Sequence, residues 1–339
     1  MIRQKLSNAL ELGLDKMSYR RAPGLPEQLH LSVTDRCFLP CLHCDIWKND
    51  TVDLPTEVWL STIDRLGKWC GPACMNFVGG ETLLRKDLEL LVSRAVGHGF
   101  TVSFNTNGYL VTKSRAESLA QAGASIAYVS MDGLEKKTVD HSRGREGSYE
   151  KALTALKHFS EYSIQPIVAC ILHAHNANQM LPLLDWCEHR GYQLVIQPLY
   201  QNFGNVEYDP NWWRESEFWP HKKEEIELLE QTLDLLTVAR NQGRAICNQA
   251  MQLQAMKFHF RAGSGDLGLS CRAGHSDLSI DPQGKVRLCY FLEPVGDIFE
   301  ERSFDDIWHD WQTLRRRWQV SRCGRRCNLL NCNFDREGV

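Results

Sequence analysis

The sequence lacks long apolar runs. No stretch reaches the roughly eighteen residues a membrane-spanning helix needs, and the N terminus has no hydrophobic segment of the kind a secretory leader carries. It also lacks an excess of charge of either sign. A formal net charge of −3 over 339 residues, with no basic stripe interleaved with aromatics, gives no electrostatic reason to expect nucleic acid or a membrane surface as partner. No internal repeat is evident. What is present is ordinary soluble-enzyme material: 43% hydrophobic residues can bury one full domain and a smaller one. The unusual component is thirteen cysteines. In a long chain without a leader, with thiols grouped at ligand-like spacings, they point to iron–sulfur sites in a reducing compartment rather than to disulfides, so a cytoplasmic location is expected.

Residues Met1 to Pro26 read as a short helix and a Pro/Gly linker, too few for an added recognition domain. From Gln28 to about Pro198, strand patterns at Leu29–Thr34, Met75–Val78, Phe100–Asn105, Ile126–Ser130, Pro166–Leu172 and Gln193–Gln197 alternate with helical ones. The helical periods fall at Thr56–Trp69, Asp87–His98, Ser114–Ala122, Ser148–Phe159 and Ala177–His189. Right-handed crossovers of this kind give a parallel α/β sheet with helices outside. Ligands in such sheets sit beyond the carboxyl ends of the strands, where Asn105, Asn107, Ser130, Asp132, His173, His175 and Asn176 fall.

The first of those ends runs into Cys37-Phe38-Leu39-Pro40-Cys41-Leu42-His43-Cys44. Three thiolates on one short loop can hold three irons of a cubane and leave the fourth without a protein ligand, open to a substrate or cosubstrate. A zinc loop short of its fourth ligand, or buried thiols acting as small apolar residues, are the alternatives. One βα unit later, the second strand ends in Gly79-Gly80-Glu81, where glycine lets the backbone approach a ligand and the carboxylate can accept hydrogen bonds from an ammonium.

A CX3CX2C loop followed by a GGE motif resembles the radical S-adenosylmethionine (radical SAM) enzymes. The resemblance implies a partial (β/α)6 TIM-like barrel and a [4Fe-4S] cluster with one open iron site on which S-adenosylmethionine (SAM) is bound and reductively cleaved to a 5'-deoxyadenosyl radical. It implies Cys37, Cys41 and Cys44 as cluster ligands, with Gly79, Gly80 and Glu81 at the methionine amino group. His43 takes a usually aromatic position that meets the adenine through its main chain. Arg143, in the segment after the fourth strand, is the implied partner of the cosubstrate carboxylate. Its fork-shaped guanidinium suits a carboxylate better than lysine would. Ser130 and Asn107 are the remaining cosubstrate candidates.

A second constellation lies near the C terminus. Asp277–Cys289 reads as a β-hairpin about Pro282-Gln283-Gly284 that places Cys289 near the hairpin start, and a helix is expected from Ser303 to Trp318. Cys271, Gly284 and Cys289 resemble the opening of the twitch/SPASM extension, which implies auxiliary iron–sulfur binding. The five thiols here suffice for one auxiliary [4Fe-4S] cluster, held by Cys271 and Cys289 with two or more of Cys323, Cys327 and Cys332; zinc is the alternative. The expected organisation is an N-terminal segment 1–27, a barrel core 28–200, an aromatic loop with connecting helices 201–262, and a small hairpin-plus-helix iron–sulfur domain 263–339.

Trp212, Trp213, Phe218 and Trp219 read as a packed loop or an active-site wall. Arg315, Arg316, Arg317, Arg322, Arg325 and Arg326 read as a solvated or cluster-adjacent helix end, or as a recognition surface for an anion. Cys70, Cys74, Cys170, Cys187 and Cys247 are expected as buried packing residues, with Cys170 and Cys247 as candidate hydrogen-atom donors. The function expected is radical oxidation, epimerisation or crosslinking of a ribosomal peptide or a small molecule. A reducing partner such as flavodoxin or ferredoxin would supply electrons, and a separate peptide-recognition protein would serve a peptide substrate. A non-catalytic electron carrier or cluster scaffold is the alternative.

Overall fold

A computed structural model describes residues 24–49, 51–201, 207–262, 271, 273–331 and 334. The predicted N-terminal helix, residues 202–206 and Cys332 lie outside them. Six parallel strands, β1 Gln28–Thr34, β2 Cys74–Gly79, β3 Thr101–Thr106, β4 Ile126–Ser130, β5 Gln165–Leu172 and β6 Gln193–Pro198, stand in chain order across the sheet. The helices between them are α1 Thr56–Cys70, α2 Leu88–Gly97, α3 Lys113–Gln121, α4 Lys136–Ser142, α5 Ser148–Glu161 and α6 Met180–Glu188. Apolar stripes of the helices face the sheet, as in α1, which buries Trp59, Ile63, Leu66 and Cys70 at helical spacing. In β1, Leu29, Leu31 and Val33 are buried, and so are Ser32 and Thr34, because a parallel sheet is covered on both faces. This is the α/β, TIM-like partial barrel expected. Among the described residues, no helix is long and apolar enough to cross a membrane.

Beyond β6 come α7 Lys223–Asn241 and α8 Ala250–Ala262, then the hairpin β7 Asp277–Ile280 and β8 Lys285–Arg287, and β9 Gly296–Asp297. The hairpin pairs as predicted, Ser279 opposite Arg287, with Gly284 supplying the positive φ of its turn. It is not a free-standing ribbon. β7 pairs in parallel with β1, Gln28 opposite Asp277 through Leu31 opposite Ile280, so nine strands form one sheet ordered β6-β5-β4-β3-β2-β1-β7-β8-β9. The single C-terminal helix expected from Ser303 to Trp318 is instead two, α9 Phe304–His309 and α10 Trp311–Ser321. Asp310 is extended between them and caps the second, its carboxylate accepting from Gln312 N–H.

The arginine-rich stretch divides. Arg317 is buried, donating to the Gly274 and Trp308 carbonyls and lying 4.2 Å from the centre of the Trp308 ring, and Arg326 is buried against the His259 carbonyl. Arg315 and Arg322 are exposed. Part of that cluster therefore holds the C-terminal layer together.

Candidate active site

The cysteine loop leaves the end of β1 and is gripped from two sides. On one side Gly80 N–H donates to the Thr34 carbonyl and Glu81 N–H to the Arg36 carbonyl, both at 2.8 Å. A Cβ at Gly79, where φ is +129°, would overlap the Thr34 carbonyl oxygen, and one at Gly80 would overlap that of Arg36. The glycine pair is thus required by the close passage of the cysteine loop itself. On the other side Leu42 N–H donates to the Ser142 carbonyl at 3.0 Å, and Gly144 packs against the Pro40 carbonyl with no room for a side chain. Loop, GGE turn and the end of α4 form one clamp.

Within it Cys37, Cys41 and Cys44 are half-buried, with Cys41 close enough to raise the thiol pKa of both Cys37 and Cys44. Burial is the larger cause, and pushes Cys44 up to about 12. Ligation must therefore supply the free energy of deprotonation, as metal binding does for thiols.

Glu81 is fully buried, and its oxygens accept from Leu83 N–H (3.1 Å), Thr106 Oγ1 (2.7 Å) and Asn107 N–H (2.7 Å). Those bonds only partly offset burial, which pushes its carboxyl up to about 7. Three of roughly four acceptor positions on this carboxylate are filled by the fold itself. Glu81 ties β2 to the end of β3.

The second hub is Asp132, just past β4 and fully buried. It accepts from Arg143 (2.7 Å), Ser142 Oγ (2.6 Å) and Ile171 N–H (3.0 Å). Burial works against its charge, but Arg143, His43 and Ser142 outweigh that and hold it near pKa 2. Arg143, itself 7% exposed, thus lies against Asp132 and near enough to Cys41 for its charge to favour that thiolate against burial, which raises the thiol's pKa. Asn176 braces the same corner, its amide donating to the Asp132 and Ile171 carbonyls and its oxygen accepting from His173 N–H. His43 and His173 are buried and neutral, desolvation lowering them to about 4 and about 3.

Four buried polar atoms in this ring have no partner: His43 Nδ1, Asn107 Nδ2, Arg143 Nε and His173 Nε2. Orphaned polar atoms at one end of a sheet are costly unless a ligand satisfies them, and donors of this kind suit a cosubstrate carrying a carboxylate, a ribose and a purine. Ser130 ends β4 half-buried, opposite Ala169. Phe218 closes this side with its ring 4.7 Å from that of His173, and Ala174 N–H donates to the Phe218 carbonyl, so the aromatic segment lies against the barrel mouth.

The C-terminal thiols also converge. Cys271 lies close enough to Cys327, Cys289 and Cys323 for each to raise its pKa further, burial being the main cause. Among the described residues no three His, Cys, Asp or Glu side chains converge tightly enough to grip a single ion. Donor sets made of thiols alone are the kind that hold an iron–sulfur cluster, in which each thiolate takes its own iron.

The two candidate hydrogen-atom donors do not fit that role. Cys170 is packed against Met180 and Asn176, and Cys247, exposed rather than buried, lies beside Gln193 at the end of β6 away from the mouth. Asp132 and Arg85 are the structural residues whose weight the sequence did not reveal. Arg85 is buried and ties the Val33 and Leu54 carbonyls to Asp87, and the only sequence hint was an arginine beside the GGE turn.

Residues 31–187 match the model of the Radical SAM superfamily, and residues 271–333 match SPASM, an iron-sulfur cluster-binding domain. The Fe-coproporphyrin III synthase of Methanosarcina barkeri is 32% identical over 160 residues, 46% of this chain and 40% of that one. The PqqA peptide cyclase of Granulibacter bethesdensis is 24% identical over 294 residues, covering 84% of this chain and 74% of its own. The chain spans less than half the length of the first curated relatives it matches. Among solved structures, anSMEcpe with bound AdoMet and Cp18Cys peptide superposes with a TM-score of 0.67 at 17% identity, over 91% of this chain and 88% of that one.

Proposed function

The chain belongs to the radical SAM superfamily and carries a C-terminal SPASM domain, and on that premise we propose that it cleaves SAM reductively and abstracts hydrogen from a peptide substrate bound at the barrel mouth. The first domain brings a [4Fe-4S] cluster and SAM, the second an auxiliary iron–sulfur site. Bound in the loop, the cluster supplies the electron that splits SAM into methionine and a 5'-deoxyadenosyl radical.

The chain's own residues do the rest. Cys37, Cys41 and Cys44 hold the cluster, and the Gly79 and Gly80 carbonyls accept from the methionine ammonium. Arg143, kept cationic by Asp132, faces the methionine carboxylate with its unpartnered Nε, and its charge favours the Cys41 thiolate. Asn107, Ser130, His43 and His173 line the remainder of the cosubstrate site. Cys271 and Cys289, with two or more of Cys323, Cys327 and Cys332, hold the auxiliary cluster. Clusters of this kind need a reducing compartment, so we place the protein in the cytoplasm, reduced by a flavodoxin or ferredoxin and supplied with substrate by a separate recognition protein.

The observation that carries the reading is the clamped three-thiol loop ringed by unpartnered polar atoms. The peptide assignment rests on a narrower one: the match to the peptide cyclase runs through both domains, whereas that to the porphyrin synthase covers fewer than half of the residues. Anaerobic reconstitution with iron and sulfide, followed by SAM and dithionite, is expected to yield 5'-deoxyadenosine. A protein that loads iron yet forms none, with or without substrate, is an electron carrier and not this enzyme.

A further inference from the structure

Two residues beyond the end of β6, Tyr200 leaves the barrel mouth and turns toward the C-terminal thiols. It is 4% exposed and packs with Cys327 and Leu330, flanked by Tyr208, Trp212 and Phe291. Its ring is fixed from two sides, 5.6 Å from that of Trp212 and 6.2 Å from that of Phe291. The chain that follows is tied back by Gln201, whose amide oxygen accepts from Asp209 N–H at 2.9 Å. The hydroxyl, buried inside this packing, closes no hydrogen bond. The sulfur-bearing side chain packed with it in this cluster is Cys327. A neutral thiol is a poor acceptor and a thiolate a good one, so an O–H held rigidly beside a ligand cysteine finds its partner only when that sulfur is deprotonated and bound to iron.

Resting on the reading of the C-terminal thiols as an auxiliary iron–sulfur site, we propose that Tyr200 is a positioning residue that donates an O–H···S hydrogen bond to Cys327 and thereby raises the potential of that cluster. Hydrogen bonds to ligand sulfurs disperse the extra negative charge of the reduced state and so favour reduction. Arg325, stacked 4.6 Å from the Tyr208 ring and 5.2 Å from that of Phe291, adds a cation to the same shell. Tyr200 sits between β6, which forms one wall of the mouth, and a cluster ligand.

The test is an anaerobic redox titration of the full reconstituted protein, followed by electron paramagnetic resonance, in wild type, Tyr200→Phe and Tyr208→Phe. The auxiliary signal is the one SAM does not move. Tyr200→Phe keeps the ring and its packing and removes only the O–H. It is expected to lower the reduced-to-oxidised ratio at fixed poise by fivefold to tenfold, about 40–60 mV at 59 mV per tenfold for a one-electron couple. Tyr208→Phe is expected to leave it unchanged. An auxiliary signal whose potential is the same in Tyr200→Phe as in wild type, or shifts equally in both variants, overturns the inference alone. A wild-type protein with no auxiliary signal overturns the reading of the thiols and the inference together.

Discussion

The two thiol sites are built by opposite means. At the N-terminal loop three cysteines lie within eight consecutive residues, and the fold need only hold that loop still, which the glycine pair and the end of α4 do by leaving no space for it to move. At the C-terminal site the thiols come from residue 271, the residue after β8 and Leu288, and the stretch beyond α10, and no pair is useful until β7 has paired with β1 and Arg317 has pinned α10 to the Gly274 carbonyl. The first site is local geometry under clamp. The second is tertiary structure, and should be the easier of the two to lose without losing the other.

That asymmetry can be broken most forcefully at the first site. Replacing any one of Cys37, Cys41 or Cys44 by alanine should reduce 5'-deoxyadenosine formation to background, measured by chromatography after anaerobic reconstitution, because two thiolates cannot retain a cubane with a defined open iron. The double variant Cys271→Ser with Cys289→Ser should lower bound iron from about eight to about four per chain yet leave SAM cleavage without substrate within about threefold of wild type. Equal loss in both experiments would show that the two sites are one cooperative unit.

Arg143→Lys probes the clamp's charge. Lysine keeps the cation near Asp132 but cannot bind Asp132 and a cosubstrate carboxylate at once, so SAM cleavage should fall by roughly 10-fold to 100-fold, the usual cost of losing a partner outside the ligand shell. The smallest effect is expected at Glu81→Gln, which turns one acceptor oxygen into an NH2 group facing backbone and hydroxyl donors and should cost ~1–3 kcal/mol of stability in a urea titration. The pH dependence has a definite sign. Burial raises the Glu81 carboxyl from 4.5 to about 7, so its protonated form is the one the fold favours. The stability this contributes is present in full below pH 4.5 and is lost as pH rises toward about 7. The wild-type-minus-variant stability difference should therefore slope downward across that window and be flat above it.

The same contrast explains what could be read before the fold was known. The cysteine loop, the GGE turn and the strand–helix alternation are patterns of neighbouring residues, and residue spacing carries them directly. The β7–β8 hairpin was legible for the same reason, through its Pro-Gln-Gly turn. The pairing of β7 with β1 was not, because residues about 250 apart leave no local trace of their register. Asp310 broke the expected C-terminal helix by capping a second one, a choice that apolar periodicity running across it conceals. Glu81 was legible as a functional carboxylate, but its role as a latch between β2 and β3 depends on Thr106 and Asn107, which only the sheet brings to it.

The central claim is that the iron not held by Cys37, Cys41 or Cys44 is the one SAM occupies. The most direct measurement is the electron paramagnetic resonance spectrum of the dithionite-reduced Cys271→Ser, Cys289→Ser protein, in which only the N-terminal cluster remains, before and after addition of SAM. A changed g-tensor, with broadening when the methionine moiety of SAM carries 17O or 15N, is the expected result. A spectrum indifferent to SAM at saturating concentration would mean that all four irons already have their ligands, and the account would fail.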